Sequence, residues 1–155
     1  MNFAQKLHQK INSFDNQIAI SNYGEVITYR YLNDISMKIA RLFENNILQS
    51  SVIGIVGQRN FSVYYGILGS IYSGCTYVPI NHKYSEDRIC KIIKEANVSV
   101  LIGNKESINC IKKTINDDLI KIIIFPDQEV EEESDSFPKK IKCFYKSDLL
   151  SLSPL

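Results

Sequence analysis

The sequence predicts an α/β fold, a doubly wound and mostly parallel sheet with helices on both faces. Short apolar runs alternate with helical patterns along the 155 residues. Runs such as 51–56 (SVIGIV) lack the polar–apolar alternation of half-exposed strands, which is typical of strands buried on both faces. Repeated strand–helix–strand units of this kind place strands in parallel through crossover helices.

The first elements are an amphipathic helix and a hairpin. An apolar stripe at helical spacing predicts the helix, with members Phe3, Leu7, Ile11 and Phe14. Two short apolar segments, 17–21 and 26–29, predict strands on either side of a turn. Gly24 in that turn is free to adopt a positive φ.

The central part of the chain predicts a regular alternation of elements. In order, these are a helix over 31–44, a strand over 51–56, a helix over 61–72, a strand over 76–80, a helix from Ser85, a strand over 98–102, a helix over 106–115 and a strand over 121–125. Ser85 is expected to cap its helix, because Glu86 and Asp87 follow in the first turn and favour the helix dipole.

The chain length fits one domain over 1–155. The strand–helix pattern stops after Pro126, so we expect a loop over 126–140 with a solvated acidic run from Glu129. Residues 141–155 are expected to form a C-terminal extension with one short strand and a helical turn.

Composition argues against several partners and compartments. A net charge of +1 provides no long-range field for nucleic acid or a membrane surface. The sequence begins without a signal peptide, so we expect a cytoplasmic protein. The four cysteines form no C-x-x-C pair, which favours reduced, mostly buried thiols over a metal site.

The sequence contains few catalytic or ligand-binding motifs. Gly54 and Gly57 end a buried strand, where ligands bind in open α/β sheets, but no third glycine opens the next helix. A small nucleotide-binding domain therefore remains only an alternative. Arg59 and Arg88 each follow a strand end, and an arginine there is more often an ion-pair partner than an anion ligand. We expect no catalytic residue and no metal ligand in this chain.

Several residues have backbone roles that their type explains. Gly74 suits a helix end that needs a left-handed residue, and Pro79 marks a strand end or edge. Thr28 precedes a predicted helix and can cap it.

Three segments, taken in order, resemble known family motifs. Residues 27–32 (ITYRYL) resemble LTYxEL, residues 71–81 (IYSGCTYVPIN) resemble LKAGxAYVPID, and residues 84–89 (YSEDRI) resemble YPxERI. The chain is thereby similar to the N-terminal part of the adenylation (AMP-binding) domain of adenylate-forming ligases, above all the amino-acid-activating domains of nonribosomal peptide synthetases. Its scaffold motif residues here are Thr28, Tyr29, Gly74, Tyr77, Pro79, Tyr84 and Arg88. The departures are Tyr31, Asn81 and Ser85.

The resemblance implies that this chain provides only one part of an enzyme, and that the remaining part lies in other sequence. A complete enzyme of the family joins an amino acid to ATP with Mg²⁺ and passes the acyl group to a carrier-protein thiol. The family's TSGSTGxPKG-type phosphate loop does not occur in the 155 residues. We therefore expect no cofactor bound and no adenylation by this chain alone. Its expected partner is a second chain or the remainder of the adenylation domain. The alternative is a non-catalytic binding module, or one half of a split enzyme, derived from the same scaffold.

Overall fold

The computed structural model describes residues 1–46, 51–115, 118–129 and 136–155. In chain order the elements are α1 (Phe3–Asn12), β1 (Ile18–Asn22), β2 (Glu25–Thr28), α2 (Tyr29–Asn45), β3 (Val52–Val56), α3 (Phe61–Ser73), β4 (Thr76–Ile80), α4 (Glu86–Glu95), β5 (Val98–Ile102), α5 (Ile108–Thr114), β6 (Ile122–Phe125), β7 (Lys142–Tyr145) and α6 (Lys146–Leu150).

In the described part of the chain, five strands form one sheet in the order β4-β3-β5-β6-β7, and every neighbouring pair is parallel. Counted from β3, this is the doubly wound order 2-1-3-4-5. The hairpin of β1 and β2 is antiparallel and forms a separate two-stranded sheet. The predicted fold class is therefore confirmed.

Helices cover the sheet on both faces, and a hydrophobic core lies on each. Along β6, Ile122 and Ile124 face the core beneath α2, α3 and α6, whereas Ile123 and Phe125 face the core beneath α4 and α5. All four side chains are at most 3% exposed. Burial on both faces explains why the strand sequences are continuous apolar runs.

Several element boundaries differ from the sequence prediction by one or two residues, among them the start of α2 and the end of α1. Tyr29 was expected to end a strand, but it begins α2, because the Thr28 hydroxyl accepts the Tyr31 N–H at 3.3 Å and caps the helix. The first apolar stripe extends to Phe14, yet α1 ends at Asn12 with Ser13 as its C-cap. The predicted bounds of β4 and β5 are confirmed.

The C-terminal residues add a strand and a helix. β7 pairs in parallel with β6, and α6 follows it directly. Residues 130–135 of the expected 126–140 loop, with most of the acidic run, lie outside the described residues. In the described part of the chain, no helix has both the length and the apolar character to cross a membrane.

The cysteines are free, but the expectation that they are mostly buried is wrong. Cys75 is buried, Cys90 is exposed, and Cys110 and Cys143 are half-buried. Cys90 lies on α4, and its Sγ is 3.7 Å from the carbonyl oxygen of Thr114 at the end of α5.

Candidate functional site

The carboxyl ends of the parallel strands surround an open cleft. β3 lies between β4 and β5, and the chain leaves β3 and β4 towards opposite faces of the sheet. Open α/β sheets bind ligands at such a switch point. The cleft has a volume of about 560 Å³ and is lined by Asn22, Tyr23, Gln58, Arg59, Asn60, His82, Lys83 and Glu106.

The loop after β3 holds its polar side chains at the cleft through local hydrogen bonds. Asn60 caps α3, because its Oδ1 accepts the Val63 N–H at 3.1 Å. The Gly57 N–H donates to the Ile80 carbonyl at 3.0 Å and joins this loop to the end of β4. Arg59 has φ +33°, which is unusual for a residue other than glycine.

Three polar atoms at this edge are buried and have no hydrogen-bond partner in the part of the chain that the structure describes. They are Asn60 Nδ2 after β3, His82 Nδ1 after β4 and Gln128 Oε1 after β6. Buried polar groups almost always have a partner, since leaving one unpaired costs about 1–3 kcal/mol. A ligand or ordered water in the cleft would supply the missing partners.

The cleft continues past the ends of β5 and β6 into a second open region of about 780 Å³. Here the buried Ser62 hydroxyl donates to Asp127 Oδ2 at 2.8 Å. Loss of hydration raises the pKa of the Asp127 carboxyl above its usual value, although this residue keeps substantial solvent contact. The Ser62 hydrogen bond and Lys146 act in the opposite direction.

Asp127 in turn affects a buried tyrosine. Tyr65 is 1% exposed, and its ring packs edge-on against Tyr31 with centroids 6.3 Å apart. Burial raises the pKa of the Tyr65 hydroxyl strongly, and the nearby Asp127 charge adds to the rise. Tyr65 is therefore held neutral.

The charges along the cleft are mixed. Arg59 and Lys83 lie at one end with Glu106, and Lys146 lies at the other with Asp127 and Glu129. The Lys146 ammonium is 4.0 Å from the Glu129 carboxylate. This arrangement can bind a polar or anionic group through donors and cations. Among the described residues, no three His, Cys, Asp or Glu side chains are grouped to hold a metal ion.

The predicted scaffold residues are not brought together into one site. Thr28 caps α2, and Tyr29 packs on Phe14 with ring centroids 5.8 Å apart. Gly74 has φ +72° at the end of α3, and Pro79 lies in β4, the edge strand beside β3.

The remaining scaffold residues lie on or after β4. Tyr77 is on β4 and is 38% exposed. Beyond the carboxyl end of β4, the Arg88 guanidinium lies 3.9 Å from the centroid of the Tyr84 ring. Arg88 therefore stacks on Tyr84. Of the two arginines that follow strand ends, Arg59 lines the first cleft and Arg88 does not.

Sequence reasoning missed Asn60, His82, Asp127 and Gln128 as cleft residues. Each follows the carboxyl end of a parallel strand, and that position was the one available signal. Their types alone are ordinary for turns, so the sequence pattern did not distinguish them.

The strand order places the chain in the class of doubly wound α/β proteins, and its cleft lies at the switch point where proteins of this class ordinarily bind ligands. A family model described as AMP-binding enzyme matches residues 7–149. The chain belongs to this family, and the resemblance found in its sequence motifs is confirmed.

Relatives and solved structures agree with this assignment. Gramicidin S synthase 1 of Brevibacillus brevis is 29% identical over 108 residues, 69% of this chain and 10% of the synthase. Zwittermicin A synthase ZmaJ of Bacillus cereus is 24% identical over 120 residues, 76% of this chain and 23% of the synthase. The anthranilate CoA ligase AuaEII, solved in complex with anthranoyl-AMP, shares the fold with a TM-score of 0.77 at 15% identity, covering 99% of this chain and 28% of that one. The chain thus spans only a small part of each of these proteins.

Proposed function

We propose that this chain supplies the N-terminal portion of an adenylate-forming ligase that activates an amino acid. The observation that carries the proposal is the family match over residues 7–149, on a fold that follows a solved acyl-CoA ligase over 99% of this chain. The complete enzyme would form an aminoacyl-AMP from ATP with Mg²⁺ in the cytoplasm. It would then pass the acyl group to the thiol of a carrier protein.

This chain would provide the scaffold of the enzyme, and the residues that carry out adenylation would lie outside it. Phosphoryl and adenylyl transfer need backbone donors and cations around the reacting phosphate. A phosphate loop of the family type is not among the 155 residues. The partner is therefore the remainder of an adenylation domain, in the same polypeptide or in a second one.

ATP–pyrophosphate exchange tests this proposal. The chain is assayed alone and mixed with the adenylation domain of Gramicidin S synthase 1 lacking the segment that aligns with this chain. We expect no exchange from either part alone and exchange from the mixture. Exchange by this chain alone would contradict the assignment of the chemistry to other sequence. A mixture that stays inactive, although the two parts co-elute, would contradict the scaffold role.

A non-catalytic binding module is the second candidate, and the carboxyl-edge cleft favours it. The buried atoms Asn60 Nδ2, His82 Nδ1 and Gln128 Oε1 belong entirely to this chain, so a ligand could bind without a partner. Calorimetry with ATP, AMP and an aminoacyl-adenylate analogue separates the two candidates. Binding that is lost in Asn60→Ala and retained in Ser73→Ala, on the far end of α3, supports the module. No heat with any of the three ligands counts against it.

A further inference from the structure

Three polar side chains between α1 and α2 form a closed ring of hydrogen bonds, called here the His8 ring. His8 Nδ1 lies 3.3 Å from Asn33 Oδ1, Asn33 Nδ2 donates to Asn12 Oδ1 at 3.0 Å, and Asn12 Nδ2 lies 2.9 Å from His8 Nε2. The Tyr72 hydroxyl of α3 also donates to Asn33 Oδ1, at 2.8 Å. The ring therefore links α1 to the two helices beneath it.

A closed ring of three members requires each member to donate once and accept once. The two asparagine amides can do so in either orientation. A neutral imidazole can also do so, with one N–H donor and one acceptor nitrogen, whereas an imidazolium has two donors and no acceptor. Protonation of His8 therefore breaks one link, whichever way the amides of Asn12 and Asn33 are turned.

Apolar packing holds α1 only weakly. Ile11 is the one residue of this helix that is buried, whereas Phe3 is 69% exposed. The His8 imidazole also packs edge-on against the Tyr72 ring, with centroids 5.9 Å apart. Because the buried area is small, a change of one hydrogen bond can alter the attachment of α1 measurably.

Two carboxylates near His8 form ion pairs with other cations. The open cleft beside the His8 ring is also lined by Asp15, Arg30 and Asp34, and by Leu155. Asp15 pairs with Arg30 at 3.0 Å. Asp34 pairs with Lys38 on its own helix at 3.1 Å. A positive charge on His8 would therefore compete with Arg30 and Lys38 for these carboxylates.

We propose that the His8 ring is a pH-sensitive latch that fastens α1 to α2 and α3 while His8 is neutral and releases it when His8 is protonated. Histidine is the side chain that ordinarily changes charge between pH 5 and 8. The geometry assigns one donor and one acceptor nitrogen to neutral His8. The latch does not depend on the proposed function, since it involves only the attachment of the first helix.

Hydrogen–deuterium exchange at pH 7.5 and 5.5 tests the latch, with rates corrected for the intrinsic effect of pH. Carboxylates ordinarily titrate below this interval, whereas histidine ordinarily changes charge within it. We expect the amides of α1 to exchange about fivefold faster at pH 5.5, the scale of one lost hydrogen bond, while those of α4 stay unchanged. Equal protection of α1 at both pH values would overturn the proposal.

Three variants test whether His8 is the group that causes the pH response of α1. His8→Gln should abolish the pH response, and His82→Gln, which changes the only other histidine, should retain it. Asn12→Asp should reverse it, because a carboxylate at this position accepts both from Asn33 Nδ2 and from the imidazolium. A pH response that persists in His8→Gln, or that keeps its direction in Asn12→Asp, contradicts the latch.

The wild-type protein provides a test that needs no substitution. The imidazole ¹⁵N shifts of His8 should report one protonated and one unprotonated nitrogen at pH 7.5. The protonation of His8 should follow the same pH curve as the exchange of α1. Two protonated nitrogens at pH 7.5, or curves that do not coincide, would overturn the proposal.

Discussion

Single residues before the first turn determine where the helices begin. The side chains of Asn2, Thr28, Asn60 and Ser85 each accept the backbone N–H three residues later, at the starts of α1, α2, α3 and α4. Such caps are each worth about 1 kcal/mol. Thr28 and Ser85 were predicted from the sequence. The sequence pattern does not identify Asn60 as a cap, because asparagine is favoured in turns as well as at caps.

Gly74 determines where α3 ends, and its conformation yields a residue-scale prediction. Its φ of +72° is left-handed, and an added Cβ would meet no atom within 4 Å. Gly74→Ala should therefore destabilise the protein through backbone strain alone, by about 1–2 kcal/mol in urea unfolding. Gly74→Asn should lose clearly less, since asparagine tolerates this conformation. Equal losses in the two variants would contradict the assignment.

Helices α2 and α3 pack closely against each other. A Cβ added at Gly69 would lie 2.6 Å from Ile39 Cγ2 and 3.2 Å from the Ser36 carbonyl oxygen. Ser36 and Ser70 are fully buried nearby, and each hydroxyl donates to a carbonyl of its own helix. Small residues on α3 thus allow the two helix backbones to approach.

An element-scale prediction follows from the contact of Gly69 with Ile39. Gly69→Ala should destabilise the protein by about 1–3 kcal/mol, because the new methyl group overpacks the α2–α3 interface. In an Ile39→Ala background the same change should cost at least about 1 kcal/mol less, since the opposing methyl groups are gone. A double-mutant cycle by chemical denaturation measures this coupling. Additive losses would show that the contact is not the cause.

The sequence predicted elements well where local chemistry and tertiary packing agree. The bounds of β4 and β5 are confirmed, because Gly74 ends the helix before β4 and both strands are apolar. Tyr29 was assigned wrongly, because its aromatic side chain favours a strand while the Thr28 cap begins a helix there. Which residues meet at the cleft depends on which strands become neighbours. The patterns in a single sequence do not reveal that strand order.

The described part of the molecule has a core on each face of the five-stranded sheet, and the last elements contribute to both. Leu149 of α6 is fully buried in the core beneath α2, and Tyr145 of β7 is buried in the opposite core. Tyr145 stacks on Phe125 with ring centroids 5.8 Å apart. This arrangement supports our proposal that residues 1–155 form one domain.

A pair of adjacent leucines tests this proposal at the scale of the molecule. Leu149→Ala should lower the free energy of unfolding by about 2–5 kcal/mol, because it leaves a cavity in the core. Leu150 is 48% exposed, and Leu150→Ala should change stability by less than about 0.5 kcal/mol. Far-UV circular dichroism and tyrosine fluorescence should shift together in Leu149→Ala. A shift in one probe alone would contradict a single cooperative domain.

The strand order has a consequence for synthesis of the chain. β4 and β5 both pair with β3, β6 pairs with β5, and β7 pairs with β6. Every strand of the sheet after β3 therefore has a neighbour that the ribosome has already released. Because the entropy cost of loop closure grows slowly with loop length, this cost differs little from one pairing step to the next. The sheet can thus be assembled outward from β3 in the order of translation, because each later strand pairs with one that is translated before it.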